Sequence, residues 1–200
     1  MRKIVLLFIL LSSGFLKSGF AQSADELKQY NVERNNISKK GMLFLGAWSA
    51  GNILVGAAGL ATTHAEVDKN FHEMNLFWGG INLALAATGY LGAKNDKKSY
   101  DLKQSIKAQN SIEKTFLANA ALDLAYVTAG FYLSEKSKNE SSRKAMYKGF
   151  GQSIVLQGAF LFCFDAAMFY IENNHANKKL YRFLDKVNLS SNGIGLKYKI

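Results

Sequence analysis

The chain has 200 residues, a single cysteine, no proline and a formal net charge of +10. It is long enough for one compact domain, no linker-like stretch divides it, and Cys163 alone excludes an intrachain disulfide or a thiolate metal cluster. The basic residues flank apolar stretches and form no aromatic-interleaved stripe, so we expect anionic lipid headgroups, and not nucleic acid, as their partner.

The first 21 residues have the three parts of a signal peptide. A basic start at residues 1–3 precedes an apolar run at residues 4–11, and the small residues Gly19 and Ala21 follow at the spacing that a signal peptidase reads. We predict export and cleavage after Ala21. An uncleaved anchor helix is the alternative, although the apolar run is short for a membrane span. Residues 22–41 form a helical flank of the next segment.

Four apolar segments follow, at residues 42–61, 74–93, 115–134 and 150–171. The first two contain no charged residue, and the other two contain one aspartate each. About twenty helical residues cross the ~30 Å hydrocarbon core of a membrane. The sequence therefore predicts an all-α fold, a four-helix transmembrane bundle within residues 42–179. A soluble exported bundle is the alternative, but these segments lack a charged face.

Small residues recur four apart in these segments. Examples are Ala47 with Gly51 and Gly80 with Ala84. Such spacing lets helix backbones approach closely in lipid. We expect tight helix contacts at these positions.

The last 21 residues, 180–200, have a different pattern. Apolar residues alternate on both sides of Asn192-Gly193, a dipeptide typical of tight hairpin turns. We predict a short C-terminal β-hairpin that covers the end of the bundle or offers a docking edge.

One Asn or Asp lies near the middle of each apolar segment, namely Asn52, Asn82, Asp123 and Asp165. Setting Asn52 against Asp123 and Asn82 against Asp165 aligns the first helical hairpin with the second. Two hairpins with an even number of spans make a parallel repeat. We therefore predict that the bundle consists of two copies of one hairpin.

These four residues and Gln157 form the candidate buried polar cluster. Polar groups are costly in hydrocarbon, so Asn52, Asn82, Asp123, Asp165 and Gln157 should face one another inside the bundle. No lysine or arginine lies in the segments, so we expect both aspartates to be neutral and hydrogen-bonded to the amides. The cluster is either hydrogen-bonding glue between helices or a binding site for a proton, a cation or a small polar ligand.

No catalytic pattern accompanies this cluster. His64, Glu66, Asp68 and His72 crowd the first loop, but their spacing matches no metal motif, and we expect a solvated loop. No nucleophile with a predictable histidine partner and no phosphate-binding loop occurs. We expect no metal, no cofactor and no enzymatic activity.

Two signals disagree on orientation. Cleaved export would place the mature N terminus, the second loop and the tail outside the cell. The basic residues are concentrated on that same side, and the positive-inside rule would therefore predict the opposite orientation. The complete signal peptide favours the first orientation.

The apolar segments resemble those of an uncharacterised family of small exported helical membrane proteins from Bacteroidota. The resemblance rests on GMLFLGAWSAGNILVGAAG, FHEMNLFWGGINLALAATGY, FLANAALDLAYVTAGFYL and GFGQSIVLQGAFLFCFDAAMFYI. It implies the four-span fold and a bacterial source, but no activity. We expect the inner membrane more than the outer. We expect a structural or partner-binding role, with a protein partner or a second copy. A small carrier or channel element that uses the buried Asp and Asn residues is the alternative, and a membrane-embedded enzyme comes third.

Overall fold

The structure is a computed structural model. It describes the backbone of residues 2–96, 101–182, 184, 187–190 and 193–196, and the side chains of residues 24–96, 101–182 and 184. Four long helices account for nearly all of it: α1 (Arg2–Thr62), α2 (Glu66–Asn95), α3 (Leu102–Lys136) and α4 (Lys144–Ala176). A 3-10 turn (Ser137–Asn139) follows α3, and a π-helical turn (Asn177–Tyr181) extends α4.

All four helices are long and apolar enough to cross a membrane, which confirms the predicted four-helix fold. The apolar helices Ala24–Thr62, Glu66–Asn95, Leu102–Asn139 and Lys144–Tyr181 have 39, 30, 38 and 38 residues. At 1.5 Å per residue, three of them reach roughly 57 Å, well beyond a ~30 Å hydrocarbon core. The excess lies mainly at one end, where α1 and α3 begin and α4 ends. We call residues 24–41, 102–114 and 172–181 at this end the terminal layer.

The first connection is shorter than expected. The chain leaves α1 at Thr62 and enters α2 at Glu66, so Glu66, Asp68 and His72 belong to a helix and not to a solvated loop. Acidic side chains in a first turn interact favourably with the helix dipole, which explains the early start. At α3, the Asp101 side chain accepts a 2.7 Å hydrogen bond from the Gln104 N–H and caps the helix.

The helices pack as two hairpins. α1 lies against α2, α3 lies against α4, and the two pairs meet through α2 and α4. Glycines allow close approaches: a Cβ at Gly130 would lie 2.8 Å from the Gly151 carbonyl oxygen, and a Cβ at Gly79 would lie 3.1 Å from that of Ser49.

The prediction of tight helix contacts at Gly51 and Gly80 is wrong. No described atom lies within 4 Å of a Cβ built at either position, leaving out the neighbouring turns of the same helix. Small residues spaced four apart lie on one face of a helix. The spacing does not show whether that face contacts another helix or lies on the outside of the bundle. Leu54, Phe131 and other large apolar side chains are also exposed on the outside of the bundle.

Two strands follow the helices. Val187–Ser190 pairs antiparallel with Gly193–Leu196, with Val187 opposite Leu196 and Ser190 opposite Gly193. The predicted turn residue Asn192 lies outside the described residues. A two-stranded ribbon of this length is marginally stable by itself, so the terminal hairpin as a fixed element stays a prediction. The helical structure also continues past residue 179, where we expected the tail to begin.

Candidate functional site

The five residues of the predicted cluster are all buried, but they lie in two separate layers. Asn52 and Gln157 belong to one layer, and Asn82, Asp123 and Asp165 belong to the other. The layers are separated by two helical turns, since Gln157 and Asp165 are eight residues apart on α4. One turn advances by about 5.4 Å.

The first layer is a hydrogen-bonded network centred on Gln157. Its Nε2 donates to the Asn52 Oδ1 at 2.6 Å and to the Asn75 Oδ1 at 3.0 Å, while its Oε1 accepts from the Trp48 indole at 3.2 Å. Ser153 donates to the same Asn75 oxygen at 2.7 Å, and the Asn52 amide donates to the Trp48 carbonyl. Both polar side-chain atoms of Asn52 and of Gln157 are thus satisfied. We call these five residues the Gln157 network.

The second layer contains the two acids. The side chains of Asp123, Asp165 and Asn119 line the same cavity. Asp123 is 3% exposed and Asp165 is 5% exposed. Two buried carboxyl groups on one cavity cannot both be ionised at low cost. We call Asn82, Asp123 and Asp165 the acid site.

Several polar atoms of the acid site have no partner among the described residues. Asn82 is 1% exposed, yet neither its amide nitrogen nor its oxygen forms a hydrogen bond, and the Asp123 Oδ2 is also unsatisfied. A buried polar group without a partner costs about 1–3 kcal/mol. Among the described residues, the acid site therefore has unused donor and acceptor capacity, which Asn52 and Gln157 lack.

A groove between α2 and α3 leads to the acid site. Its inner cavity has a volume of about 380 Å³ and is lined by the acid site and by apolar side chains. Its outer cavity, about 340 Å³, is lined by Arg34, Asn35 and other residues of the terminal layer. The two cavities share Met42, Gly89, Thr115 and Phe116 in their walls.

The groove is closed at its far end. Beyond the acid site, the rings of Trp78 on α2 and Tyr126 on α3 meet edge to face, with centroids 5.0 Å apart. The groove therefore reaches the acid site from the terminal layer and stops there.

The terminal layer contains a third polar region, which the sequence did not lead us to expect. Glu172 is fully buried, accepts a 2.7 Å hydrogen bond from Ser38, and its carbonyl accepts from Gln109 at 3.1 Å. The Tyr30 hydroxyl donates to the Gln109 Oε1 at 2.5 Å. Burial raises the pKa of Glu172 to about 7, although Ser38 and the charge of Arg34 act in the opposite direction.

Two ion pairs join the helices of this layer. Glu33 on α1 binds Lys179 at 2.7 Å and His175 at 2.9 Å, both from the end of α4. Burial alone would raise the pKa of Glu33, but hydrogen bonds from Lys179, His175 and Gln29 outweigh it and lower the pKa to about 2. Arg34 is 1% exposed and contacts Asp96 at the end of α2 at 2.7 Å.

A signal for this layer is present in the sequence. Asn31, Arg34, Asn35 and Ser38 recur at helical spacing on the same face as Leu27 and Tyr30, so one side of the flank carries both polar and apolar residues. Charged residues are rarely buried, so this pattern alone does not predict a buried face. Its burial depends on the ends of α3 and α4, which are distant in sequence.

The comparisons with known proteins agree with the fold but add no activity. Residues 44–166 match the model of a family of unknown function, DUF6992. No curated protein and no solved structure matches the chain. The matched residues include the whole acid site and the whole Gln157 network and exclude most of the terminal layer. The chain belongs to the DUF6992 family of unknown function.

Proposed function

We propose that this chain is an integral membrane protein that binds a small cationic ligand at the acid site. The observation that carries the proposal is the amide of Asn82, which has no hydrogen-bond partner in the described part of the chain and is buried with two carboxyl groups on a cavity of about 380 Å³. Polar atoms placed in such a site without partners are the arrangement expected of a ligand site before the ligand arrives.

The membrane location is supported by the length and the surface of the helices. Four helices are apolar enough to cross a membrane, and side chains such as Leu54 (71% exposed) and Phe131 (61% exposed) would face lipid tails. In water, exposed apolar side chains along all four helices would favour aggregation.

The chemistry of the acid site favours a cation with N–H groups. Carboxylate oxygens and the Asn82 oxygen accept hydrogen bonds, and the ring faces of Trp78 and Tyr126 attract positive charge. A primary ammonium group would replace a proton on Asp123 or Asp165. The site would then exchange a proton for the ligand and keep its charge low.

The Gln157 network supports a structural role for the other layer. All of its hydrogen bonds join helices or cap a side chain within one helix, and Asn52 and Gln157 have no spare capacity. We propose that this layer holds α1, α2 and α4 in register, as interhelical hydrogen bonds do in membrane bundles. It would perform the structural role that we expected of the whole cluster.

The remaining sequence expectations belong to the same proposal. We propose export through residues 1–21, insertion into a bacterial inner membrane, an origin of the bundle in two repeated hairpins and a terminal hairpin that docks a protein partner. A groove that ends at Trp78 and Tyr126 suits a carrier element or a receptor better than an open channel, because a channel needs access from both sides.

Ligand-dependent thermal stability in detergent tests the ligand site. The probes are methylammonium chloride and sodium chloride at equal ionic strength, applied to the wild type, to an Asp123→Asn/Asp165→Asn variant and to the matched control Asp68→Asn on the exposed start of α2. We expect methylammonium to raise the melting temperature of the wild type and of the control but not that of the double variant, because only the latter lacks the carboxylates.

Equal responses of all three proteins would refute the acid site as the binding site. If neither salt changes the melting temperature of any of the three proteins, the proposal of a small cationic ligand is refuted. Extraction from bacterial membranes by carbonate without detergent would refute the membrane location.

A further inference from the structure

Among the described residues, a second cluster of unpartnered polar groups lies in the outer cavity of the groove, and its chemistry suits an anion where that of the acid site suits a cation. The cavity of about 340 Å³ is lined by Arg34, Asn35, Ser38 and Ser111 as well as by Asp96. It lies two helical turns or more outside the acid site and shares none of its polar residues. Whatever it binds is recognised by a different set of atoms.

Arg34 is the main group of this cavity. A guanidinium carries five N–H donors, but only Nη2 is used, by Asp96 at 2.7 Å and by the Asn35 oxygen at 3.2 Å. Nε and Nη1 are buried and have no hydrogen-bond partner among the described residues. Three of the five donors of a residue that is 1% exposed are thus free.

Asn35 is oriented by the same contact. Its oxygen accepts from Arg34, so its amide nitrogen, also buried and unpartnered, adds two further N–H donors. Ser111, on α3, contributes a hydroxyl to the opposite wall. The free groups of Arg34 and Asn35 are all donors, and such a set fits an acceptor-rich ligand.

The charge of the surroundings points the same way. Asp96 balances Arg34, but Lys40, Lys94, Lys103 and Lys107 are exposed at the same end of the bundle. Clustered positive charge raises the local concentration of anions at such a site. Arg34 also lies eight residues before the first apolar segment, roughly 12 Å along the helix and therefore on the water side of the hydrocarbon core.

We propose that Arg34 and Asn35 form a binding site for a phosphate group, from either a free phosphate ion or the headgroup of an anionic phospholipid. Phosphate oxygens accept several hydrogen bonds from guanidinium and amide donors at once. The site goes beyond the cation site proposed above and does not depend on it.

An added carboxylate tests the site. Asn35→Asp keeps the oxygen that accepts from Arg34 and replaces the free amide donor by a negatively charged acceptor, which repels phosphate. The neighbouring Asn36→Asp is the matched control, because Asn36 is exposed and receives the same charge on the same helix. A second pair, Ser111→Asp with Asn110→Asp as its control, adds the charge from the opposite wall and leaves Arg34 and Asn35 intact.

Each purified protein is melted in neutral detergent with sodium phosphate or sodium chloride at equal ionic strength, and again with added phosphatidylglycerol or phosphatidylcholine. We expect phosphate or phosphatidylglycerol to raise the melting temperature of the wild type and of both controls by several degrees. The apparent affinity of the Asn35→Asp and Ser111→Asp variants for the same ligand should be at least tenfold lower. A response to phosphate salt identifies a site for the free ion. A response to phosphatidylglycerol alone identifies a headgroup site.

Equal responses of each variant and its control would overturn the proposal, since diffuse attraction by the lysines would then account for them. So would the lack of any response in the wild type. If Asn35→Asp does not fold, the Ser111 pair decides. Methylammonium titration of the same variants keeps the two sites distinguishable, because Asn35→Asp leaves the acid site unchanged.

Discussion

The Tyr30 hydroxyl donates a 2.5 Å hydrogen bond to the Gln109 side chain, across 79 positions in the sequence. Both residues are buried, and the Tyr30 ring also stacks on His175 at 4.9 Å. One aromatic residue of α1 thus contacts both α3 and α4, and the terminal layer depends on it for its order.

We expect Tyr30→Phe to destabilise the protein by about 1–3 kcal/mol, because the Gln109 oxygen would be left buried without its donor. The stacking on His175 remains in this variant. Reversible unfolding in mixed detergent measures the change. Tyr132→Phe, at a position 64% exposed, is the control and should have little effect; equal losses in both variants would contradict this account.

Glu172 should make the stability of the terminal layer depend on pH. Its pKa of about 7 in the folded chain is higher than its ordinary value of 4.5, so the folded state holds the proton more tightly. The resulting stability is fully present below pH 4.5 and is lost as the pH rises through 7. We expect the melting temperature of the Glu172→Gln variant to change less with pH over this range than that of the wild type. Glu135→Gln, at an exposed position, should keep the wild-type slope, and an unchanged slope in Glu172→Gln would rule out this role.

Removing an amide should have opposite effects in the two inner layers. Gln157→Met leaves the Asn52 oxygen and the Trp48 indole without partners and should cost about 1–3 kcal/mol. Asn82→Leu removes two unsatisfied atoms and should be neutral or stabilising. Its apparent affinity for methylammonium should nevertheless fall, which is the trade of stability against function expected of a binding residue. A large loss of stability in Asn82→Leu would indicate that Asn82 is structural.

Glycine contacts give a test of helix packing. A Cβ at Gly130 would lie 2.7 Å from the Val155 side chain and 2.8 Å from the Gly151 carbonyl, so Gly130→Ala should force α3 from α4 and cost about 1–3 kcal/mol. Gly51→Ala meets open space and should be neutral or slightly stabilising, since alanine favours helices by about 1 kcal/mol. Melting temperatures measure both. Equal tolerance of both changes would show that the α3–α4 contact can relax.

The sequence predicts the helices better than their contacts. Uninterrupted apolar runs around Asn52, Asn82, Asp123 and Asp165 identify four helices, because composition and length alone decide whether a helix can cross a membrane. The same runs do not say which polar residue faces which. Gln157 pairs with Asn52 and Asn75 and not with an aspartate, since the relative height of α2 and α4 is set by packing between distant residues.

The acid site illustrates the same limit. Burial of Asp123 and Asp165 follows from their apolar surroundings, but the absence of any described hydrogen-bond partner for Asn82 depends on the cavity between the helices. Nothing local in the sequence encodes that cavity. The burial of Arg34 has a corresponding reason, because it depends on residues that are distant in the sequence, such as Asp96.

The contacts of the terminal layer also determine when this layer can form during synthesis. Glu33 and Ser38 of the first helix find their partners Lys179 and Glu172 only at the end of the last one. During synthesis these side chains emerge long before their partners, and the layer closes after the fourth helix is complete. A chain interrupted anywhere before residue 172 would keep charged and polar groups unpaired at this end. The contacts of Glu33 and Ser38 with the end of the chain therefore form only after the fourth helix is in place.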